Sequence, residues 1–272
     1  MEATLVAQLV GLLLVAFVVG LIASRLFVPY TVALLVVGIA IGFTHLLDGI
    51  SLTADTILLV FLPALLFESA INLDLQQLRA ATLPIALLAV VGVGVTIAII
   101  GGLFAVSTDL PIMLCILLAS TLSATDPVSV LAIFRRIGVP KRLEMVIEGE
   151  SLFNDGTALV AFQITLAAVQ APASASIGQG LVQFVFVVAG GLLLGAVAGF
   201  AISHLLAVTQ DHLFEMGIST VLAYGSYLAG QLLHVSPVIT VVVAGVIVGN
   251  YGRQVGLSDR AKVVLNDIWE YL

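Results

Sequence analysis

Asp155 and Asp126, with Glu150 and Glu68, are the residues best placed to do chemistry, because all four acids fall inside otherwise apolar runs. An ionisable group at membrane depth is costly and marks a functional site by default. The basic turn from Arg135 to Arg142 sets a depth scale: Asp126 lies nine residues before Arg135 and Asp155 thirteen after Arg142. At about 1.5 Å per helical residue they sit roughly 13 and 20 Å from that side, toward the middle of a core about 30 Å thick.

The stretch Ser120 to Pro127 is small, rich in hydroxyls and closed by a proline, which removes a backbone donor and clashes with the preceding turn. Unwound backbone is tolerated at membrane depth where it lines a cavity, and its freed carbonyls with Asp126 make a hard-cation site of oxygens. The alternative is a plain kink at Pro127 satisfied by Ser and Thr hydroxyls. On the next span Glu144, Glu148, Ser151 and Asp155 share one helical face, and Glu150 and Asn154 share an adjacent one. Glu144 and Glu148, beside the basic turn, read as a solvated entrance. A carboxylate in apolar surroundings must hold either a proton or a cation. Exchange of one for the other is the physical core of cation/proton antiport.

The rest of the chain has to position these groups. Of 272 residues 61% are apolar, and nine Lys/Arg stand against 16 Asp/Glu for a net charge of −7. That is too apolar for a soluble domain and too poor in basic residues for a nucleic-acid surface. Cys115 is the only cysteine, which excludes a disulfide framework, and the continuous runs exclude a transmembrane barrel. Residues 3–23 are too long for a signal-peptide core and lack a basic leader, so they read as a retained span. Polar breaks leave about nine spans, near 3–24, 28–47, 54–71, 81–106, 111–135, 142–169, 180–208, 213–233 and 236–251.

Arg25, Arg79, Arg135, Arg136, Lys141, Arg142, Arg253, Arg260 and Lys262 then all fall on one side, whereas the other side carries Glu2, Asp48 and Asp109. The positive-inside rule puts the N-terminus outside and the basic loops in the cytoplasm of a cell-membrane protein. Residues 31–42 align with 238–249 in opposite orientation, each with a proline near its start. This is what an inverted repeat leaves in sequence, although two glycine-bearing packing helices would look alike. Gly191, Gly195 and Gly199 read as helix packing. His45, His204, His212 and His234 read as interfacial.

Thr125-Asp126-Pro127, followed by Glu150-Ser151-Leu152-Phe153-Asn154-Asp155-Gly156, resembles the signature of monovalent cation/proton antiporters of the sodium/proton exchanger type. Phe61 to Glu68 and Val243 to Gly249 are also similar, so the resemblance covers essentially the whole chain. It implies an all-α inverted-repeat antiporter fold, with the fifth span unwound near Asp126 and Pro127, in one transmembrane domain over 1–272. An N-terminal repeat would occupy about 1–170, and a linker helix with an incomplete second repeat about 180–272. It further implies that Asp155 binds the cation or the proton. Asp126, the Thr125 carbonyl and the Ser151 hydroxyl would complete the coordination, with Glu68 nearby. Asn154 before Asp155 marks the electroneutral branch, one proton per cation.

The family pairs a glutamate matching Glu150 with an arginine on a later helix, and no Lys or Arg of this chain lies mid-membrane. The run from Asn266 to Leu272 reads as the start of a further helix, so a truncated chain is expected, inactive by itself. Substrates would be Na+, Li+ or K+ with H+, with no cofactor, no nucleic acid, lipid as surroundings and a homodimer as the assembly. Competing readings are an intramembrane aspartyl protease using Asp126 and Asp155, a cation channel, and a transport-inactive homologue. The Tyr-Asp and Gly-x-Gly-Asp contexts of the protease are absent.

Overall fold

A computed structural model of the chain describes residues 2–26, 30–44, 53–171, 176–208 and 211–256, together with Leu265 and Trp269. His45, Arg260, Lys262 and the rest of the 266–272 run lie outside the described residues. Among the described residues all regular structure is helical. In chain order the helices are α1 (Glu2–Leu26), α2 (Tyr30–Gly42), α3 (Ala54–Thr56), α4 (Leu62–Asn72), α5 (Leu75–Ala80), α6 (Thr82–Ala86) and α7 (Val93–Ser107). They continue with α8 (Ile112–Thr121), α9 (Val128–Ile137), α10 (Lys141–Gln170), α11 (Ile177–Leu206), α12 (His212–Leu232), α13 (Pro237–Ile247) and α14 (Arg253–Val255). Three π-helical segments, Ile57–Phe61, Leu87–Gly92 and Val248–Gly252, join α3 to α4, α6 to α7 and α13 to α14.

Four of these, Thr82–Ser107, Lys141–Gln170, Gly178–Leu206 and Pro237–Val255, are long and apolar enough to cross a membrane by length and composition. Val10–Leu26, Val32–Gly42, Ile57–Asn72 and Ile112–Thr121 are shorter apolar helices. The expected fifth span is shortened for a reason already visible in its composition: α8 ends at Thr121, α9 begins at Val128, and the residues between are not helical.

The chain forms two compact units, Met1–Ile57 with Asp126–Val139, and Leu58–Thr125 with Pro140–Leu272. In the first, α1 packs on α2 where the Tyr30 ring covers Gly20, and α2 contacts α9. Gly138, in the left-handed region at φ 71°, ends α9, a conformation that costs glycine little.

In the second unit α13 is buried almost all round, with Val238, Ile239, Thr240, Val241 and Val242 among its covered residues, the pattern of a central helix. Small residues let its neighbours approach. A Cβ on Gly191 of α11 would lie 2.9 Å from the Ser236 carbonyl, and one on Gly230 of α12 would lie 2.7 Å from the Pro237 Cα. A Cβ on Gly245 of α13 itself would lie 2.8 Å from Ala70 of α4. Ser236, whose hydroxyl accepts from the Ile239 N–H, and Pro237 at the first turn start α13. The outer faces of α7 and α11 expose Val95, Ile99, Leu103, Val182, Val185 and Leu193, an apolar surface suited to lipid rather than water.

Candidate functional site

Thr125, Glu150, Ser151 and Asn154 form one hydrogen-bonded cluster in the second unit. The residues from Leu122 onward leave the helix, so the Thr125 carbonyl is not committed to a helical ladder, and the Ser151 hydroxyl of α10 donates to it. A carbonyl has two lone pairs and a hydroxyl oxygen two, so each keeps acceptor capacity for a cation after making this bond. Asn154, 1% exposed, donates from Nδ2 to the Thr125 hydroxyl at 2.8 Å and to Glu150 Oε1 at 3.0 Å. The Asn154 Oδ1 atom is buried with no hydrogen-bond partner among the described residues.

Asp155, half-buried, lines a cavity of about 280 Å³ together with Ser120, Thr121, Ala124, Leu62, Phe162 and Val238. The Ser120 and Thr121 hydroxyls donate to the carbonyls of Leu117 and Leu118, each at 2.7 Å, which leaves their oxygens as acceptors. Asp155 thus borders a space lined by two hydroxyl-bearing residues and by apolar side chains. Among the described residues no three His, Cys, Asp or Glu side chains gather as metal ligands. What the cavity lining presents is one carboxylate with the Ser120 and Thr121 hydroxyls, a donor set for a hard, weakly held cation rather than a transition metal.

Asp126 and Pro127 belong to the first unit, where Asp126 Oδ1 accepts from the Val128 N–H at 3.0 Å and starts α9. Glu68, half-buried on α4, is not brought to the cavity lining. Its carboxylate accepts from Ser69 Oγ and Asn72 Nδ2 at 3.4 Å each. α4 is held close to the π-helical segment that follows α13, since a Cβ on Gly249 would strike the Ile71 carbonyl. Asn250 fastens the turn after α4, donating to the Leu73 carbonyl at 2.7 Å and accepting from the Leu75 N–H at 2.9 Å. Asp74 then caps α5, and hydrogen bonds from the Gln77 backbone and side chain and the Gln76 N–H hold its carboxyl below the ordinary range.

The sequence reading passed over several of these groups. Ser120 and Thr121 were legible as hydroxyls before the break, but not as walls of the cavity at Asp155. Glu215 of α12, not singled out from the sequence, is completely buried. His204, by contrast, is exposed and bonds the Phe200 carbonyl on its own helix at 2.8 Å, and His234 is exposed in the turn before α13.

Comparison with known proteins finds several relatives. A Na+/H+ antiporter, ApNhaP of Aphanothece halophytica, is 38% identical over 245 residues, covering 90% of this chain and 47% of that protein. The low-affinity Na+/H+ antiporter NhaS1 of Synechocystis is 38% identical over 247 residues, 90% of this chain and 46% of that protein. The chain therefore spans about half the length of these relatives. It covers more of the Na+/H+ antiporter NhaH of Halobacillus dabanensis, at 36% identity over 275 residues, 97% of this chain and 68% of that protein.

The solved structure of the sodium proton antiporter MjNhaP1 from Methanocaldococcus jannaschii superposes with a TM-score of 0.78 at 19% identity. The superposition covers 99% of this chain and 68% of that one, and the fold is shared. Residues 13–272 match the family described as sodium/hydrogen exchanger, transmembrane. On this match and these identities, the chain is a multi-pass membrane protein that belongs to the sodium/hydrogen exchanger family.

Proposed function

We propose that this chain is the ion-binding part of a secondary transporter, not an enzyme, that exchanges Na+, or another monovalent cation, for H+. The observation that carries the reading is the position of Asp155: a carboxylate in an apolar helical unit, opening onto a cavity edged by the Ser120 and Thr121 hydroxyls. It lies four residues along α10 from Ser151, whose hydroxyl donates to the Thr125 carbonyl in the non-helical segment. Asp155 would hold the cation or the proton, with Ser151 and the Thr125 carbonyl as neutral ligands. Asp126, next in the chain to Thr125, is the second carboxylate of the proposed set on the strength of the sequence motif. Glu68 is assigned a peripheral role.

One titrating acid at Asp155, preceded by neutral Asn154, supports a one-for-one, electroneutral exchange. The Asn154 amide also donates to Glu150. The proposed frame is a single transmembrane transporter domain with an inverted repeat, placed in the cell membrane with its basic loops cytoplasmic, and a homodimer as the assembly. No cofactor is invoked. The test is Asp155→Asn in the full-length protein, assayed as cation-driven pH change in membrane vesicles. Loss of exchange with normal protein levels is the expected result, and undiminished exchange refutes the assignment.

A further inference from the structure

Thr157 stands two residues past Asp155 and is 3% exposed. Its hydroxyl donates to the Ala89 carbonyl, inside the π-helical segment Leu87–Gly92, and lies 3.0 Å from the Asn154 carbonyl one turn back. One side chain thereby ties the backbone just before Asp155 to the neighbouring helix. Single-turn π segments are uncommon in helices and concentrate at functional sites.

Ser151 and Asn154 tie α10 to Thr125 on one side, whereas toward Ile85 and Ile239 the remaining contacts set spacing, not rotation. A Cβ on Gly149 would fall 2.8 Å from Ile85 Cδ1, and one on Gly156 would fall 2.6 Å from Ile239 Cγ1, so the helix is held closely on two sides by aliphatic groups. Dispersion between such groups has no direction, whereas a hydrogen bond weakens steeply off its axis. Rotation matters here because a carboxylate projects about 6 Å from the helix axis, so a turn of about 20° moves it by about 2 Å. Binding constellations tolerate displacements of only about 0.5 Å.

We propose that Thr157 is a positioning residue for the cation site: its bond to Ala89 fixes the rotation of α10 that aims Asp155 into the cavity. The proposal rests on the exchange reading above. Thr157→Val keeps the branched shape and removes the donor, and Thr157→Ser keeps the donor. Both are assayed beside the unaltered protein and Asp155→Asn, as Na+-driven proton movement by the full-length protein in membrane vesicles.

Thr157→Val should raise half-saturating Na+ about three- to ten-fold, the span of one buried hydrogen bond, while the maximal rate per protein stays within about two-fold. Thr157→Ser should return half-saturation to the unaltered value. If the valine protein does not accumulate, Thr157→Cys, a weak donor of similar size, is read by the same criterion. An unchanged half-saturation, a fall in maximal rate alone, or a serine variant no better than valine overturns the positioning role. Absence of exchange in the unaltered protein, or its persistence in Asp155→Asn, overturns the underlying reading instead.

Discussion

Asn154 and Thr125 are joined by a 2.8 Å hydrogen bond from the Asn154 amide to the Thr125 hydroxyl, between residues 29 apart in the chain. The same amide reaches Glu150. The neutral residue before Asp155 is therefore a clamp, holding the unwound segment against α10 and giving Glu150 a hydrogen-bond donor.

Replacing that clamp should be expensive. Asn154→Ala removes both bonds from a buried position and strips Glu150 of this donor, at about 2–4 kcal/mol for two buried hydrogen bonds, one of them to a carboxyl. Thermal unfolding in detergent should show a clear fall in Tm. A Tm equal to that of the unaltered protein would show that the clamp bears no strain-free load.

Gly195 of α11 faces the Thr240 carbonyl and the Val243 side chain of α13, with no room for a Cβ. Gly195→Ala should push the two helices apart and destabilise the protein by about 1–3 kcal/mol, the usual cost of overpacking. Gly217→Ala, where no atom among the described residues lies within 4 Å of the added carbon, should be close to neutral by the same measurement.

Asp74 supplies a pH-dependent contribution outside the spans. Its hydrogen bonds from Gln77 and Gln76 lower the folded-state pKa, so the stabilisation is present above the ordinary carboxyl range and is lost as the pH falls through the lowered folded value. Asp74→Ala should cost about 1 kcal/mol at neutral pH, as for other N-caps. The difference from the unaltered protein should vanish in strong acid. A difference that persists there would show that capping is not its source.

The spans and the break were legible in the sequence because each rests on composition: apolar runs for α7, α10 and α11, and hydroxyls followed by Pro127 for the end of α8. The cluster was half legible. Helical spacing put Ser151 near Asp155 and Asn154 on one face with Glu150, but nothing in the spacing showed that Asn154 would also reach Thr125, because that contact depends on where the unwound backbone lies.

The π segments left no compositional trace, and so the link from Thr157 to Ala89 was invisible. The matched pattern in 31–42 and 238–249 also concealed a difference in use. Gly245 and Gly249 receive α4, whereas among the described residues no atom lies within 4 Å of a Cβ built on Gly38 or Gly42.

The central claim is that Asp155 holds one proton or one cation, never both. It is tested most directly by measuring half-saturating Na+ for exchange across a series of pH values in vesicles of the full-length protein. Competition predicts that half-saturation rises toward about ten-fold per pH unit on the acid side, the mass-action limit for one proton against one cation. A half-saturation that stays constant with pH would contradict the account.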